Sequence, residues 1–204
     1  MAVIGDFCVI GKTILVTGGD KGLGLETCRR LFHGGAHVIL ACRDQRLFGP
    51  QQEGFRQELF RTIQCENLRK PEIMKVDLSS LKSVFDFCSH FQSKFSRLDA
   101  LVCNAGVMTP AEDATTQDGL ELHMGVNHLA HFYMVTLLKD LLLKTQGARI
   151  VVVSSMLLKE GQLDIEQLGF PCSRTTKSKT PPAYADSKLM NALFARELQR
   201  REPG

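Results

Sequence analysis

The chain has 204 residues, enough for one globular domain with a sizeable core and hardly enough for two. Apolar residues make up 44% and charged residues 23%, a balance that excludes disordered, collagen-like and coiled-coil chains. The net charge of +3 comes from 25 basic and 22 acidic residues spread along the chain, which argues against a nucleic-acid partner.

Seven cysteines are spread through the chain, and no two form a Cys-x-x-Cys pair that could bind zinc or carry out redox chemistry. Most lie in apolar runs, so we expect buried, reduced thiols and a cytoplasmic protein. Residues 1–10 lack the pattern of a signal peptide, and no apolar run approaches the roughly 20 residues that span a bilayer. Any contact with a membrane is therefore expected to be peripheral. The cysteines are Cys8, Cys28, Cys42, Cys65, Cys88, Cys103 and Cys172.

Short apolar runs alternate along the chain with longer segments of helical periodicity. This alternation predicts an α/β fold in which a doubly wound parallel sheet lies between two layers of helices, a three-layer α/β/α arrangement. Near-continuous apolar runs such as 150–153 suit a sheet that is buried on both faces. The predicted strands are 13–17, 37–41, 72–76, 100–103 and 149–153, and the predicted helices are 22–32, 52–66, 81–95, 118–145 and 183–201.

No internal repeat or linker divides the chain, so residues 1–204 are predicted to form a single domain. Residues 171–182 differ from the rest because Ser, Thr, Lys, Arg and Pro dominate them, which indicates an exposed loop. The simpler interpretation is a solvated insertion. The alternative is a lid over the functional site, because the loop lies between two segments that carry candidate catalytic residues.

A glycine-rich turn follows the first predicted strand and opens the first predicted helix. Residues 17–24 read TGGDKGLG, with the spacing G-x-x-x-G-x-G. Glycines at Gly18, Gly22 and Gly24 permit a tight turn, let the backbone approach a pyrophosphate and place that anion at a helix N-terminus. The alternative is a turn that only packs a helix against a strand. Because strand, turn and helix occur in the required order, the motif favours a Rossmann-like dinucleotide-binding domain.

Arg43 follows the second predicted strand, 19 residues beyond the last glycine of the turn. At this position in dinucleotide folds an acidic residue favours the free 2′-hydroxyl of NAD, whereas an arginine accommodates the 2′-phosphate of NADP. Arg43 therefore indicates NADP, and Lys21 would add a second positive charge near the same phosphate. The alternative is that Arg43 is a solvated surface residue, and the neighbouring Asp44 leaves both interpretations open.

Tyr184 and Lys188 lie four residues apart at the start of the last predicted helix, so their side chains share one face. An ammonium group beside a tyrosine stabilises the phenolate and so lets the tyrosine exchange a proton near neutral pH. The alternative is a surface pair. Ser154 and Ser155 follow the fifth predicted strand, at the edge where a doubly wound sheet binds ligands. A hydroxyl there could hold a substrate carbonyl, or the two serines could cap the following loop.

Polar residues interrupt the apolar stretch of the fourth predicted helix. Asn127 would be buried there and so needs partners for its amide. His128 and His131 have a spacing that could suggest a metal site, but no H-E-x-x-H motif accompanies them. We interpret both as ordinary structural histidines and expect no metal.

The glycine turn, Asp77-Leu78, the N-A-G sequence at 104–106, Asn127, Ser155 and the Y-x-x-x-K pair occur in this order along the chain. Together they resemble the motifs of the short-chain dehydrogenase/reductase family. Longer strings resemble the retinol dehydrogenase branch of that family, and the likeness extends from residue 11 to residue 201. These strings are ACRD (41–44), DGLELHMGVNHLAHF (118–132), RIVVVSS (149–155) and AYADSKLMNALF (183–194).

The resemblance implies a role for each matching residue. Tyr184 would donate or accept a proton, Ser155 would hydrogen-bond the reacting oxygen, and Lys188 would support the tyrosine and bind the nicotinamide ribose. Asn127 would complete a proton relay through water. The reaction would be hydride transfer between NADP(H) and a carbonyl or alcohol carbon of a small lipophilic substrate, retinoid-like or steroid-like. Residues that would bind the cofactor are Gly18, Lys21, Gly22, Leu23, Gly24, Arg43, Asp77, Leu78, Asn104, Ala105 and Gly106, together with Tyr184 and Lys188.

Members of the resembled family continue beyond the Tyr/Lys helix into further strands and a substrate-covering region. We therefore expect the C-terminal substrate-binding portion to be absent and the fifth strand to be an open edge of the sheet. This leaves a second hypothesis open, namely a truncated, catalytically silent form that binds a cofactor or a partner. The sequence alone leaves the substrate, the direction of reaction and a homo-oligomeric state undecided.

Overall fold

The computed structural model describes residues 9–43, 69–108, 114–167 and 181–202. Within them all five predicted strands form, and each ends within one residue of its predicted bounds. The strands are β1 (Thr13–Thr17), β2 (His37–Cys42), β3 (Glu72–Lys75), β4 (Ala100–Cys103) and β5 (Arg149–Val152). They pair in parallel in one sheet, in the order β3-β2-β1-β4-β5, so the predicted doubly wound α/β fold is confirmed.

Helices form in the described residues where the sequence predicts them. The α-helices are α1 (Gly22–His33), α2 (Leu81–Lys94), α3 (Ala130–Lys144) and α4 (Pro182–Arg201). A π-helical segment, Met124–Leu129, leads directly into α3. The predicted helix at 52–66 and most of the loop at 171–182 lie outside the described residues.

The fourth predicted helix begins later than its periodicity indicates. Helical structure starts at Leu122, because a turn precedes it in which Gly119 has a positive φ of 78°. The carboxylate of Glu121 then accepts the backbone N–H groups of His123 and Met124 at 3.0 and 2.8 Å, which caps the helix. The apolar periodicity runs on into the turn, so the prediction of a helix from 118 is wrong at this end.

Apolar side chains of the sheet pack into one core layer on each face. On β1, Leu15 joins the layer beneath α2 and α3, whereas Val16 joins the layer beneath α1. Fully buried side chains from the helices complete each layer, with Phe91 and Leu138 on the first face and Cys28 on the second. Helices therefore cover both faces, which confirms the three-layer arrangement.

β5 is an edge strand of the described sheet. It pairs with β4 on one side, and none of the described strands pairs with its other side. Arg149 and Val151 are exposed, with 48% of the Val151 surface accessible. The prediction that the 150–153 run is buried on both faces is therefore wrong, because such burial requires elements that cover each face. The expectation of an open fifth strand is confirmed for the described residues.

Four cysteines fall within the described residues, and all four are buried. Burial raises the pKa of Cys28, Cys88 and Cys103 to about 12, which keeps these thiols protonated and unreactive. The prediction of buried, reduced thiols is confirmed for these three and for Cys42. None of the helices in the described part of the chain has the length and apolar character needed to cross a membrane.

Candidate active site

The carboxyl ends of β1, β4 and β5 bring the glycine turn, the N-A-G loop and the two serines to one edge of the sheet. Thr17, the last residue of β1, is completely buried, and its Oγ1 accepts the backbone N–H groups of Asn104 and Ala105 at 3.0 and 3.1 Å. In return, Asn104 Nδ2 donates to the carbonyl of Thr17 at 2.9 Å. These bonds fix the loop after β4 against the end of β1.

The glycine turn has the geometry that an anion site requires. Gly18 and Gly22 have positive φ values of 64° and 54°. A Cβ on Gly24 would lie 2.1 Å from the carbonyl oxygen of Gly18, so a larger residue there would displace the backbone. Lys21 and Leu23 are exposed at the start of α1, where the first backbone N–H groups lack helical partners and attract anions. These five predicted cofactor residues therefore surround one helix N-terminus.

Arg43 directly follows β2 and is exposed. β2 pairs with β1, and the backbone N–H of Gly18 donates to the carbonyl of Ala41 at 2.7 Å, so the end of β2 lies next to the glycine turn. Asp77 and the buried Leu78 follow β3, the next strand outward. All of these predicted residues lie at the same edge of the sheet, whereas Asp44 is outside the described residues.

Tyr184 and Lys188 approach the end of β5 from α4. Lys188 is buried, and its Nζ donates to the carbonyl of Val153 at 3.1 Å. Nζ lies 5.6 Å from the ring centroid of Tyr184, and burial lowers the pKa of Lys188. A Cβ on Gly106 would lie 3.6 Å from this Nζ, so the N-A-G loop reaches the same point. The structure thus brings the predicted Tyr/Lys pair and the N-A-G loop together.

Asn127 lies in the π-helical segment and is completely buried. Its Oδ1 accepts the Val107 N–H at 2.8 Å, and its Nδ2 donates to the Val107 carbonyl at 3.0 Å and to Ser187 Oγ at 3.1 Å. Ser187 Oγ in turn donates to the carbonyl of Tyr184 at 2.7 Å. Both amide hydrogens are in use, so the side chain braces the loop after β4 against α4. A relay through water would need another atom of Asn127, and that role stays a prediction.

The two serines after β5 have different partners. Ser154 Oγ donates to the carbonyl of Lys188 at 2.7 Å, which ties the strand end to α4. Ser155 Oγ accepts the Leu157 N–H at 3.3 Å and caps the 3-10 helix Met156–Glu160. The capping alternative therefore describes the observed contact of Ser155. Its hydroxyl hydrogen can still be donated to a substrate oxygen, because the capping bond uses only a lone pair.

The two histidines that follow Asn127 have partners within the described residues. His128 Nδ1 lies 3.1 Å from Asn191 Oδ1. His131 is neutral, because burial lowers its pKa to about 4. Its Nδ1 lies 3.1 Å from the carbonyl of Asn127, which can only accept, so Nδ1 carries the hydrogen and Nε2 accepts the Thr17 hydroxyl at 2.8 Å. His131 therefore links the end of β1 to the π-helical segment.

Four further residues at this edge are not singled out by the sequence. Glu121 and His123 form a buried pair beside Tyr184, whereas Ser187 and Asn191 lie on the buried face of α4. The spacing of Ser187 and Asn191 from Tyr184 is a helical one and offers a usable signal. The i, i+2 spacing of Glu121 and His123 matches no motif, and the contact of His123 with Met108 depends on another part of the chain.

Several known proteins are similar to this chain in sequence. A family model described as short chain dehydrogenase matches residues 12–165. Human retinol dehydrogenase 14 is 39% identical to the chain over 200 residues, which cover 95% of the chain and 58% of that protein. The WW domain-containing oxidoreductase of Gallus gallus is 39% identical over 198 residues, which cover 94% of the chain and 45% of that protein. The chain thus spans about half the length of these curated relatives.

Solved structures share the fold. An uncharacterized protein from Mycobacterium paratuberculosis has a TM-score of 0.75 at 34% identity, over 95% of this chain and 63% of that one. A short chain dehydrogenase from Escherichia coli CFT073, solved with NADPH, has a TM-score of 0.69 at 24% identity, over 96% of this chain and 75% of that one. The chain belongs to the short chain dehydrogenase family and is similar to the retinol dehydrogenases within it.

Proposed function

We propose that this chain carries the NADP-binding and proton-transfer part of an oxidoreductase that moves a hydride between the nicotinamide and a carbonyl or alcohol carbon. The proposal rests on one observation above all, the convergence of Tyr184, Lys188 and the N-A-G loop at the edge that also holds the glycine turn. Membership of the short chain dehydrogenase family supports the same class of reaction.

The residues present fit a dinucleotide. The start of α1 and the glycine turn offer backbone N–H groups to a pyrophosphate. Lys188 donates one N–H to Val153, which leaves two for the hydroxyls of a ribose. Gly106 keeps the space beside them open, since a Cβ there would lie 3.0 Å from Asn127 Oδ1. When bound, the cofactor would supply or accept the hydride.

Two exposed cations support NADP over NAD. Arg43 follows the end of β2, and Lys21 lies in the glycine turn on the neighbouring strand end. A guanidinium group binds a phosphate through two parallel hydrogen bonds, which makes Arg43 the better candidate for the 2′-phosphate. Lys21 would add a point charge to the same region.

Proton transfer would involve three side chains. In the reducing direction Tyr184 would donate its phenolic proton to the substrate oxygen, and Ser155 would donate a hydrogen bond to the same oxygen. Lys188 would stabilise the phenolate, because its buried ammonium group lies 5.6 Å from the ring centroid in a region of low dielectric constant. Asn127 would hold the loop after β4 in place against α4 while this occurs.

A lipophilic substrate, retinoid-like or steroid-like, suits the surroundings of the site. Met108 and Met156 follow the N-A-G loop and Ser155, and both are exposed, at 47% and 82%. Flexible thioether side chains adapt well to irregular apolar ligands. The similarity to retinol dehydrogenases supports an alcohol or aldehyde of retinoid type. Buried, free thiols suit a reducing compartment, which supports a cytoplasmic setting with peripheral contact to membranes.

A second candidate is a catalytically silent chain that binds the cofactor or a partner. None of the strands in the described ranges pairs with the outer side of β5. This favours the second candidate, because an edge strand can pair with another chain, a second copy of this one included.

Reduction of retinal by NADPH tests the first proposal and separates it from the second. We expect turnover by the wild-type chain and a loss of at least about 100-fold in Tyr184→Phe, because the proton donor is gone. Tyr133→Phe, which alters the other tyrosine of the chain, is the matched control. Equal turnover by Tyr184→Phe would contradict the proposal. Cofactor binding without any turnover by the wild type would favour the silent form.

A further inference from the structure

Glu121 and His123 form a buried pair that none of the proposed steps uses. Their exposed fractions are 8% and 3%, and His123 Nδ1 lies 2.6 Å from Glu121 Oε1. His123 Nε2 lies 3.0 Å from the carbonyl oxygen of Met108, the second residue beyond the N-A-G loop. The pair therefore joins the start of the π-helical segment to the chain that leaves β4.

Hydrogen-bonding rules identify the protonation state of the pair. A carboxylate and a carbonyl can only accept, so with Glu121 ionised both ring nitrogens of His123 carry hydrogens and the ring is a cation. Burial opposes each charge, yet the hydrogen bonds raise the pKa of His123 and lower the pKa of Glu121. Glu121 also accepts the backbone N–H groups of His123 and Met124, which adds two donors to the carboxylate.

His123 and Asn127 make parallel contacts, one helical turn apart. Asn127 bonds both backbone groups of Val107, and His123 bonds the carbonyl of the next residue, Met108. Both also reach Tyr184. Asn127 does so through the hydroxyl of Ser187, and the His123 ring lies edge-on to the Tyr184 ring, with centroids 6.0 Å apart.

We propose that His123, held as an imidazolium by Glu121, is a positioning residue for proton transfer at Tyr184. It contacts the Met108 carbonyl on one side and packs edge-on against Tyr184 on the other, and so fixes the Tyr184 ring where the proton is transferred. The inference rests on the proposed function, because it concerns the same tyrosine.

Two spectroscopic measurements test this inference without any need for turnover. In the full chain labelled with ¹⁵N-histidine at pH 8, where an ordinary histidine is neutral, we expect both ring nitrogens of His123 to be protonated. The resonance is assigned by its loss in His123→Gln. A single protonated nitrogen at His123 would overturn the proposal.

The second measurement uses the fact that the chain has two tyrosines. With ¹³C at the ring carbon that bears the hydroxyl, Glu121→Gln and His123→Gln should each move the resonance of Tyr184 and leave that of Tyr133 in place. His90→Gln, on the exposed side of α2, is the control and should move neither. An unchanged Tyr184 resonance in both variants would overturn the proposal. Two variants are used so that the test still stands if one of them misfolds.

Kinetics then measure the consequence for catalysis. We expect kcat/KM for retinal to fall roughly 10- to 100-fold in both variants, because a reacting group that is slightly misplaced loses rate steeply, with the Kd for NADPH within about twofold of the wild type. Turnover equal to that of His90→Gln would overturn the positioning role. A wild-type chain without turnover would instead count against the proposed function, and the two spectroscopic results would still decide whether His123 positions Tyr184.

Discussion

The main buried polar groups at the two edges of the parallel sheet bond to different kinds of partner. At the amino edge, charges pair with charges. Asp99 accepts from Arg97 at 2.5 and 2.8 Å, lies 3.1 Å from Lys12 Nζ, and accepts the backbone N–H of Thr13 at 2.9 Å. Burial opposes the Asp99 carboxylate, but these donors together lower its pKa below the usual range. The Asp99 carboxylate is thus compensated within the protein, which is what a stabilising cluster requires.

At the carboxyl edge, neutral groups make most of the internal contacts. Thr17, Asn104 and Asn127 hold the loop after β4 through hydrogen bonds between hydroxyl, amide and backbone groups. Lys188, although buried, donates to a neutral carbonyl rather than to a carboxylate. Its charge therefore remains available to a ligand. Together with the proposed function, the contrast predicts an edge that stabilises the fold and an edge that binds the cofactor, and the following variants test it in order of expected effect.

Replacement of Lys188 by Met should have the largest effect. The loss of the ammonium group removes the cation beside Tyr184 and a donor to the ribose, so we expect turnover to fall by roughly 100-fold or more and NADPH to bind more weakly. Steady-state kinetics and a fluorescence titration measure the two effects. Lys139→Met is the control, because Lys139 pairs with Glu202 at the C-terminal end of α4. A change of less than about fivefold in Lys188→Met would mean that the carboxyl edge does not use this charge.

Asn127→Ala should destabilise the fold as well as the site. It leaves the partly buried backbone N–H and carbonyl of Val107 without their partner, which we expect to lower the free energy of unfolding by about 2 kcal/mol. Urea denaturation measures the change, with the exposed Gln117→Ala as the control. A loss below about 1 kcal/mol would show that the hydrogen bonds of Asn127 contribute little to stability.

Asp99→Asn should alter stability alone. Because the folded-state pKa of Asp99 is lowered, its contribution is present above the unfolded pKa of about 4 and is lost as the pH falls through the folded value. We therefore expect the variant to be about 1–2 kcal/mol less stable at pH 7, with the difference shrinking in acid. Thermal unfolding of the variant and the wild type across pH 2–8 measures this difference in stability. A weaker affinity of Asp99→Asn for NADPH would contradict the claim that the amino edge contributes to stability alone.

Arg43→Gln should have the smallest effect, a change in cofactor preference. If Arg43 binds the 2′-phosphate as proposed, the loss of this charge-assisted contact should weaken NADPH binding about tenfold and leave NADH binding nearly unchanged. Titrations with NADPH and with NADH measure the ratio of the two affinities. Arg196→Gln on α4 serves as the control. If both affinities fall together, Arg43 does not read the 2′-phosphate.

The parallel sheet and the ranges of its strands could be predicted because strong local signals encode them. Short apolar runs mark the strands, and the glycine turn marks the passage from β1 to α1. The edge position of β5 is different. Its run of apolar residues suggests burial on both faces, but burial depends on neighbouring elements, and Val151 is exposed.

At the site, residue types were easier to predict than their partners. The helical spacing of Tyr184 and Lys188 predicts their shared face, yet Val153 as the acceptor for Lys188 follows only from how α4 packs on the end of β5. The π-helical segment around Asn127 has no signature in the apolar periodicity. The apolar periodicity does not mark His123 either, because its partner Met108 comes from a distant part of the chain.

A titration of the chain with NADPH tests the central claim, that the carboxyl edge forms the dinucleotide site. The chain has no tryptophan, so the nicotinamide fluorescence is excited directly. We expect saturable binding by the wild type and by Glu26→Ala on the exposed face of α1. Gly24→Ala should bind at least about tenfold more weakly, because its Cβ would meet the carbonyl oxygen of Gly18 at 2.1 Å. Absence of binding by the wild type, or equal binding by folded Gly24→Ala, would contradict the account.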